Sequence, residues 1–559
     1  MPIQQMLLGV GAVATKSYID DCFSTYLYKG TGSSNHSILN NIDFGEGGLV
    51  WTKNRDGSFY GHNIFDTERG VGKQLKTNTT SGESTESNTL TTFLSNGFKL
   101  NGDNNVNKSG DDFVSWSFRK APGFFDVVTY TGTGSTRTVA HSLGSMPGFI
   151  IIKCTSEADQ WECFHSALGV TKRIRLESSG AAFTDGGSAW GGTAPTSTHF
   201  TVNSNNGVNG NGRTYVAYVF AGGESTAATA RSLTFDGSYD SLQLASSSDF
   251  NFGTGDFTFE GWLKPNNYTD FQIFLNWGSD NPSIAISNDN NSFIYYNSTV
   301  NSKTAGIAAV GQWTHYAISR SSGTTRLFLN GELKNSFSDS HNYGAQALSI
   351  GAYINGNNSW NGSISNVRIV KGTAVYTSSF RAPTEPLTNI TNTVLLCCNN
   401  SSTTGSTVTP GTITAENNVT ASTDSPFDDP AGFVFGDAGD QNVIKCGSYV
   451  GAGWPNSGLP KVNLGFEPQW VLIKRADGAS NWRLHDSMRG IVTGGNDAEL
   501  EPNGSSSEAT DQDKIDLTST GFKLATTSTS HNADGETYIF LAIRRPDGYV
   551  GKPAEAGTD

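Results

Sequence analysis

The sequence predicts an all-β chain of several antiparallel β-sandwiches, preceded by a short N-terminal apolar and helical segment. Three observations lead there. The 559 residues include 65 glycines and only 4 methionines, and 16% are charged. That composition suits turn-rich β structure, since long amphipathic helices would bring more Leu, Glu and Lys. Apolar and polar residues alternate in short runs, the period of a half-buried strand. One set of landmarks also recurs three times in the same order, which makes a repeated β unit of roughly 100 residues.

The opening stretch, MPIQQMLLGVGAVA, holds a short apolar run with no Lys or Arg before it. It is too short to span a bilayer and lacks the basic start of a secretory signal. We expect residues 6–14 to be an apolar peg, residues 16–22 a short helix, and 1–22 together an attachment segment for a partner or an oligomer axis.

The repeat opens each time on a Tyr-x-Gly-x-Gly turn: YKGTG at 28–32, YTGTG at 130–134 and YVGAG at 449–453. An apolar strand ending in Lys follows: GGLVWTK (47–53), PGFIIIK (147–153) and PQWVLIK (468–474). An aromatic strand comes next, at 58–66, 160–166 and 481–490, and each unit closes on an alternating strand at 112–120, 214–222 and 537–545. These landmarks place β units at 23–122, 124–222 and 433–548, with a C-terminal tail at 549–559. A Gly/Ser/Thr/Ala stretch at 222–230 reads as a connector. So does the Ser/Thr/Asn-rich 399–432, which we expect to be a linker because its hydrophobicity is low.

The net charge of −14 and the absence of a long basic run disfavour nucleic acid as a partner, and no segment suits membrane insertion. Six cysteines are too few for a disulfide framework. Cys154 and Cys163 flank an expected hairpin, where they are either a disulfide or two packed thiols.

The segment 231–398 contains FTFEGWLKP (257–265), WTHYAISR (313–320), RLFLNG (326–331) and WNGSISNVRIVKG (360–372). On these residues it resembles the laminin-G-like branch of the concanavalin A-like lectin/glucanase superfamily. The resemblance implies a jelly roll of two antiparallel sheets, with glycan or protein recognition at its loops. It also implies Ca²⁺ as a possible cofactor, for which Asp236, Asp280 and Asp289 are loop carboxylates of the right chemistry. A sugar site combines an exposed aromatic platform with amide partners; Tyr268, Trp277, Tyr353, Asn357 and Asn358 are the candidates. Trp262, Trp313 and Trp360 are expected in the core.

The Tyr-x-Gly-x-Gly unit and the opening MPIQQMLLGVGA resemble modules of structural proteins of tailed phages, notably marine ones infecting cyanobacteria. That resemblance implies a virion surface protein, tail-fibre-like and by analogy a homotrimer. It would bind other virion proteins through its N-terminal segment and a host-surface glycan through the jelly roll. Capsid decoration, a secreted adhesin and a polysaccharide-degrading enzyme are the alternatives. Catalysis is disfavoured by the residues themselves. A glycosidase needs paired carboxylates facing one cleft, yet Glu260 stands alone on its strand and Glu332 and Glu385 sit in turn or loop contexts. His62, His165 and His485 fall near one place in the three units, with Asp66 and Asp486 close by, and read best as a shared structural hydrogen bond.

Overall fold

A computed structural model describes residues 17–222, 231–268, 271–278, 283–287, 292–297, 303–308, 310–380, 382–383, 386–427, 443–453, 460–547 and 550–552. The architecture is all-β: short antiparallel strands arranged in several sheets, with helices no longer than four residues among the described residues. No helix there is long and apolar enough to cross a membrane.

Each β unit pairs its first strand with its last, which explains why the landmarks at both ends recur together. In the first unit Phe23–Lys29 lies beside Asp112–Arg119, followed by Gly48–Asn54, Asn63–Asp66, Lys73–Lys76 and Ser84–Thr85. The second unit has the same order, from Phe125–Thr131 through Thr214–Ala221 and Pro147–Cys154 to Trp161–His165 and beyond. The third repeats it with Ile444–Val450, Thr537–Arg544, Pro468–Arg475 and Arg483–Asp486.

The opening motif has a mechanical reason. Its tyrosine hydroxyl donates to one backbone carbonyl in each unit: Tyr28 to Val106 (2.7 Å), Tyr130 to Val208 (2.6 Å) and Tyr449 to His531 (2.8 Å). The first glycine runs against backbone. A Cβ on Gly30, Gly132 or Gly451 would lie 2.0, 2.3 or 2.1 Å from a carbonyl oxygen. The second glycine turns at positive φ, +66°, +70° and +57° for Gly32, Gly134 and Gly453. An asparagine amide oxygen (Asn107, Asn209, Asn532) then accepts from the backbone N–H between the two glycines.

The three units close into a ring, each joined to the next by the same backbone bond. Glu83 N–H donates to the Thr155 carbonyl (2.9 Å), Ala182 to Ala476 (2.7 Å) and Glu508 to Arg55 (2.8 Å). A single core fills the junction and takes side chains from all three: Trp51, Trp116 and Phe118, then Phe149 and Phe220, then Trp470 and Trp482. The chain thus holds a threefold arrangement of its own units. The ends meet as well: Ile19 N–H donates to the Val550 carbonyl at 2.9 Å.

The N-terminal helix is Ile19–Cys22, shorter than expected; the peg at 6–14 lies outside the described residues. The jelly roll packs a nine-stranded sheet on a seven-stranded one. Its bounds correct the expectation of a linker at 399–432. Ser406–Val408, Ile413–Glu416 and Thr420–Ser422 pair into the two sheets, and Phe427 packs on Trp262 with ring centroids 4.7 Å apart. Edge strands bury few side chains, here Ile413, with Val419 buried just before the last of them, so β-branched Thr in a polar segment suffices. A disulfide between Cys154 and Cys163 is also ruled out. Strand register sets Cys163 opposite Ile151, and all six cysteines are free and buried.

Candidate functional site

The jelly-roll rim carries a groove of about 470 Å³ between three short segments. The first is the turn joining Ser232–Asp236 to Ser241–Leu244. Asp240 is buried; its carboxylate accepts from the backbone N–H groups of Asp236 (2.7 Å) and Asn418 (2.8 Å) and fixes the turn. Tyr239 therefore sits at φ +66° and projects outward, 61% exposed. A non-glycine residue in that region is uncommon and is held there by its surroundings.

The second wall is the loop before Trp360. Tyr353 N–H donates to the Asn357 carbonyl at 3.0 Å, and Asn358 turns at φ +55°. Ser359 Oγ accepts from Tyr239 N–H and donates to the Gly356 carbonyl, both at 2.8 Å, which ties the two loops together. The third wall holds Asn267, Phe271 and Gln272, where Gln272 Nε2 donates to Asn267 Oδ1 (2.9 Å) and Oε1 accepts from Asn361 N–H (3.0 Å).

Among the described residues, no charged side chain lines this groove. It offers one exposed phenol face and the amides of Asn357 and Asn358, which are exposed and make no side-chain hydrogen bond within the protein. A neutral, hydroxyl-rich ligand fits that inventory, because it needs flat apolar surface and donor–acceptor amides but no counter-charge.

Of the five expected ligand residues, Asn357 and Asn358 line the groove and the aromatic three do not. Trp277 is 1% exposed, and its ring packs on Phe252, Phe259 and Phe250. It is core, because strand Gln272–Trp277 points it between the sheets. Tyr268 is half-buried against the same core; burial pushes its hydroxyl pKa upward. Tyr353 is half-buried beside the groove. The platform residue missed from sequence is Tyr239, whose only signal was its place in an Asp-Gly-Ser-Tyr-Asp turn.

Asp236 does not fit a Ca²⁺ site as found. One carboxylate oxygen accepts from Ser238 N–H at 2.7 Å and the other faces the Asn418 amide at 3.4 Å, a turn-forming role. Asp280 and Asp289 lie outside the described residues. Glu260 is fully buried in an ion pair, with Arg368 Nη2 at 2.6 Å and the Tyr376 hydroxyl donating at 2.9 Å. Burial alone would raise its carboxyl, but His315 and Arg368 together hold it below the ordinary value.

The shared histidine bond expected in the three units is also corrected, because strand register puts the histidines at three different positions. His62 precedes the strand and accepts from Trp51 Nε1 at 2.9 Å. His165 aligns instead with Asp66 and Asp486, opposite Phe149, Leu49 and Trp470. That common position joins neighbouring units. Tyr218 donates to Asp66 (2.8 Å), Trp116 to Asp486 (3.0 Å), and His165 Nε2 to the Phe540 carbonyl (3.0 Å).

The fold and rim define a multidomain β-sandwich protein: a ring of three like units and a jelly roll with a surface groove rich in amides. Residues 19–240 and 287–545 match the family model described as a domain of unknown function (DUF7483), and the chain belongs to that family. No curated protein matches it. Among solved structures it is similar to the heptameric SAP-like pentraxin of Limulus polyphemus (16% identity, 35% of this chain and 96% of that one, TM-score 0.24). It is also similar to a carbohydrate binding module of Bacillus subtilis (12%, 24% and 83%, TM-score 0.17). Domains LG4-5 of the mouse laminin alpha1 chain give 10% identity, 68% and 97% coverage and a TM-score of 0.21. Likenesses at these TM-scores carry no argument, and the sandwich assignment rests on the sheets themselves.

Proposed function

We propose that this chain is a non-catalytic glycan-recognition protein whose sugar site is the groove around Tyr239, Asn357 and Asn358. The observation that carries the reading is the pairing of an exposed, rigidly held tyrosine with uncommitted amides in a groove with no charged side chain among its described lining residues. The burial of Glu260 against Arg368 supports binding over hydrolysis, since a carboxylate locked in the sheet reaches no substrate. The resemblance to tailed-phage structural proteins supports a place on a virion surface, with the jelly roll turned toward a host glycan and the N-terminal segment toward other virion proteins. The internal ring supports one copy per ring. Weak single-site affinity is then multiplied by copies on the particle.

The test is a glycan array probed with the full chain and with Tyr239→Ala, each with and without Ca²⁺. The reading expects retention on a defined set of glycans that Tyr239→Ala loses. Equal retention by the variant, or none by either protein at multivalent density, overturns it. Light scattering of the purified chain distinguishes a single copy from the homotrimer expected by analogy.

A further inference from the structure

The third β unit departs from its sisters at two core positions. Val50, Ile150 and Val471 are equivalent, and they face Phe65, Phe164 and His485 across the same strand pair. The residue whose carbonyl accepts the motif tyrosine is Val106, then Val208, then His531. The third unit thus replaces a buried Phe and a buried Val with two imidazoles, both 0% exposed. Burying two imidazoles in place of hydrocarbon is costly unless their nitrogens are used.

The two rings meet a carboxylate. His485 Nε2 lies 3.0 Å from His531 Nε2, and Glu499 Oε2 lies 3.5 and 3.3 Å from those two nitrogens. Two ligands about 2.0–2.2 Å from a common ion are separated by roughly these distances at angles between about 90° and 115°. The outer atoms are already committed. His485 Nδ1 lies 3.1 Å from the Ala498 carbonyl, which can only accept, so Nδ1 carries a proton and the neutral ring presents the Nε2 lone pair inward. His531 Nδ1 lies 2.8 Å from Ser530 Oγ. Glu499 Oε1 accepts from Arg483 Nη1 at 2.5 Å, whereas Oε2, on a residue only 5% exposed, has no hydrogen-bond partner. Outer-shell bonds that fix the tautomer and leave the inner atoms free are the pattern of metal-ligating histidines.

A histidine–histidine hydrogen bond is the simpler reading of the 3.0 Å contact, but it leaves Oε2 of a buried carboxylate unpartnered. In the first unit the positions of Arg483 and Glu499 hold Asn63 and Gln74, which hydrogen-bond each other at 3.0 Å. In the second they hold Glu162 and Arg173, paired at 2.8 Å. The pair is kept in all three units, and only the third sets its carboxylate against two imidazoles.

We infer that His485, Glu499 and His531 bind one divalent transition-metal ion of the Zn²⁺ class. Two neutral imidazoles and one carboxylate suit that ion and leave one position for water. The ligands come from three separate stretches of the third unit, and burial closes them to substrate, so the ion is a structural cross-link. Ligands drawn from elements that exist only in the fold couple the ion to folding.

The sister units supply the control. His485→Phe with His531→Val copies the residues that the first and second units already bury, so the variant is expected to fold. The full chain, expressed with added Zn²⁺ and dialysed, should hold close to one equivalent of metal by elemental analysis, while the double variant and Glu499→Gln hold little. Stripping the wild type with a chelator should lower its Tm by several degrees and leave the double variant unmoved. A Co²⁺-loaded wild type should show visible ligand-field bands that the double variant lacks. Wild type that folds and takes up no stoichiometric Zn²⁺, Co²⁺, Mn²⁺ or Fe²⁺ overturns the inference, as does equal metal content in the double variant.

Discussion

Trp482 donates its indole N–H to the Arg175 carbonyl at 2.9 Å, joining the third β unit to the second. Trp161 makes the equivalent bond from the second unit to the first, reaching the Lys76 carbonyl at 3.1 Å and that of Thr79 at 3.0 Å. These indoles are therefore interface residues of an internal ring, even though each lies within the continuous core. Trp482→Phe keeps most of the apolar volume and leaves the Arg175 carbonyl unmet. It should cost about 1–3 kcal/mol, with Trp482→Ala nearer 3–5 kcal/mol. Equilibrium denaturation measures both. A Phe variant as stable as wild type would mean that water reaches that carbonyl.

Lys474 makes the ring sensitive to pH. Its ammonium is buried and donates to the carbonyls of Arg475 (2.9 Å) and Ser179 (3.2 Å). Desolvation first, and the nearby Arg475 and Arg483 second, lower its pKa to about 7. Between that value and the ordinary lysine value of about 10.4, the unfolded chain holds a proton that the folded chain has released, so stability rises with pH. Burial lowers Lys53 and Lys153 to about 8 in the same sense, whereas burial raises the thiols of Cys22 and Cys163, which oppose the rise above about pH 9 because the unfolded chain loses those protons first. Wild type should gain about 1–2 kcal/mol more than Lys474→Met on going from pH 7 to 9. Matching pH profiles for the two proteins would show that the ammonium stays at its ordinary value.

The Glu260–Arg368 pair crosses two neighbouring strands inside the jelly roll, at 2.6 and 2.9 Å. Removing one partner strands a charge, so Arg368→Met should cost about 3–5 kcal/mol, and Glu260→Leu with Arg368→Met should recover much of the loss. Thermal denaturation of the single and double variants decides it. A single variant as stable as wild type would show that the pair is solvated.

Much of the fold was legible because backbone rules repeat. Tyr-x-Gly-x-Gly marked three units since its tyrosine and both glycines are each fixed by backbone geometry, and the alternating strands followed from one buried face. The third-unit metal-type trio was half visible. His485 stood out, but Glu499 and His531 join it only through strand pairing and a turn distant in sequence. Trp277 could not be told from a rim aromatic because strand phase near a chain turn slips by one residue, which reverses its face. Tyr239 was hidden for the opposite reason, since Asp240 and Asn418 hold it outward and no local pattern records a partner so far along the chain.

Tyr239 and Trp277 separate recognition from stability. Tyr239 packs its ring edge near Gly356 and is otherwise exposed, so Tyr239→Ala should change the Tm little. If its face stacks on a sugar ring, the same change should weaken glycan binding about tenfold, the equivalent of about 1.4 kcal/mol. Trp277→Ala removes an indole packed among Phe250, Phe252 and Phe259 and should cost about 3–5 kcal/mol. At temperatures where that variant remains folded, its affinity should be close to wild type. Calorimetric titration alongside thermal melts tests the contrast. If affinity falls with Trp277→Ala and stays with Tyr239→Ala, the groove is not where sugar binds.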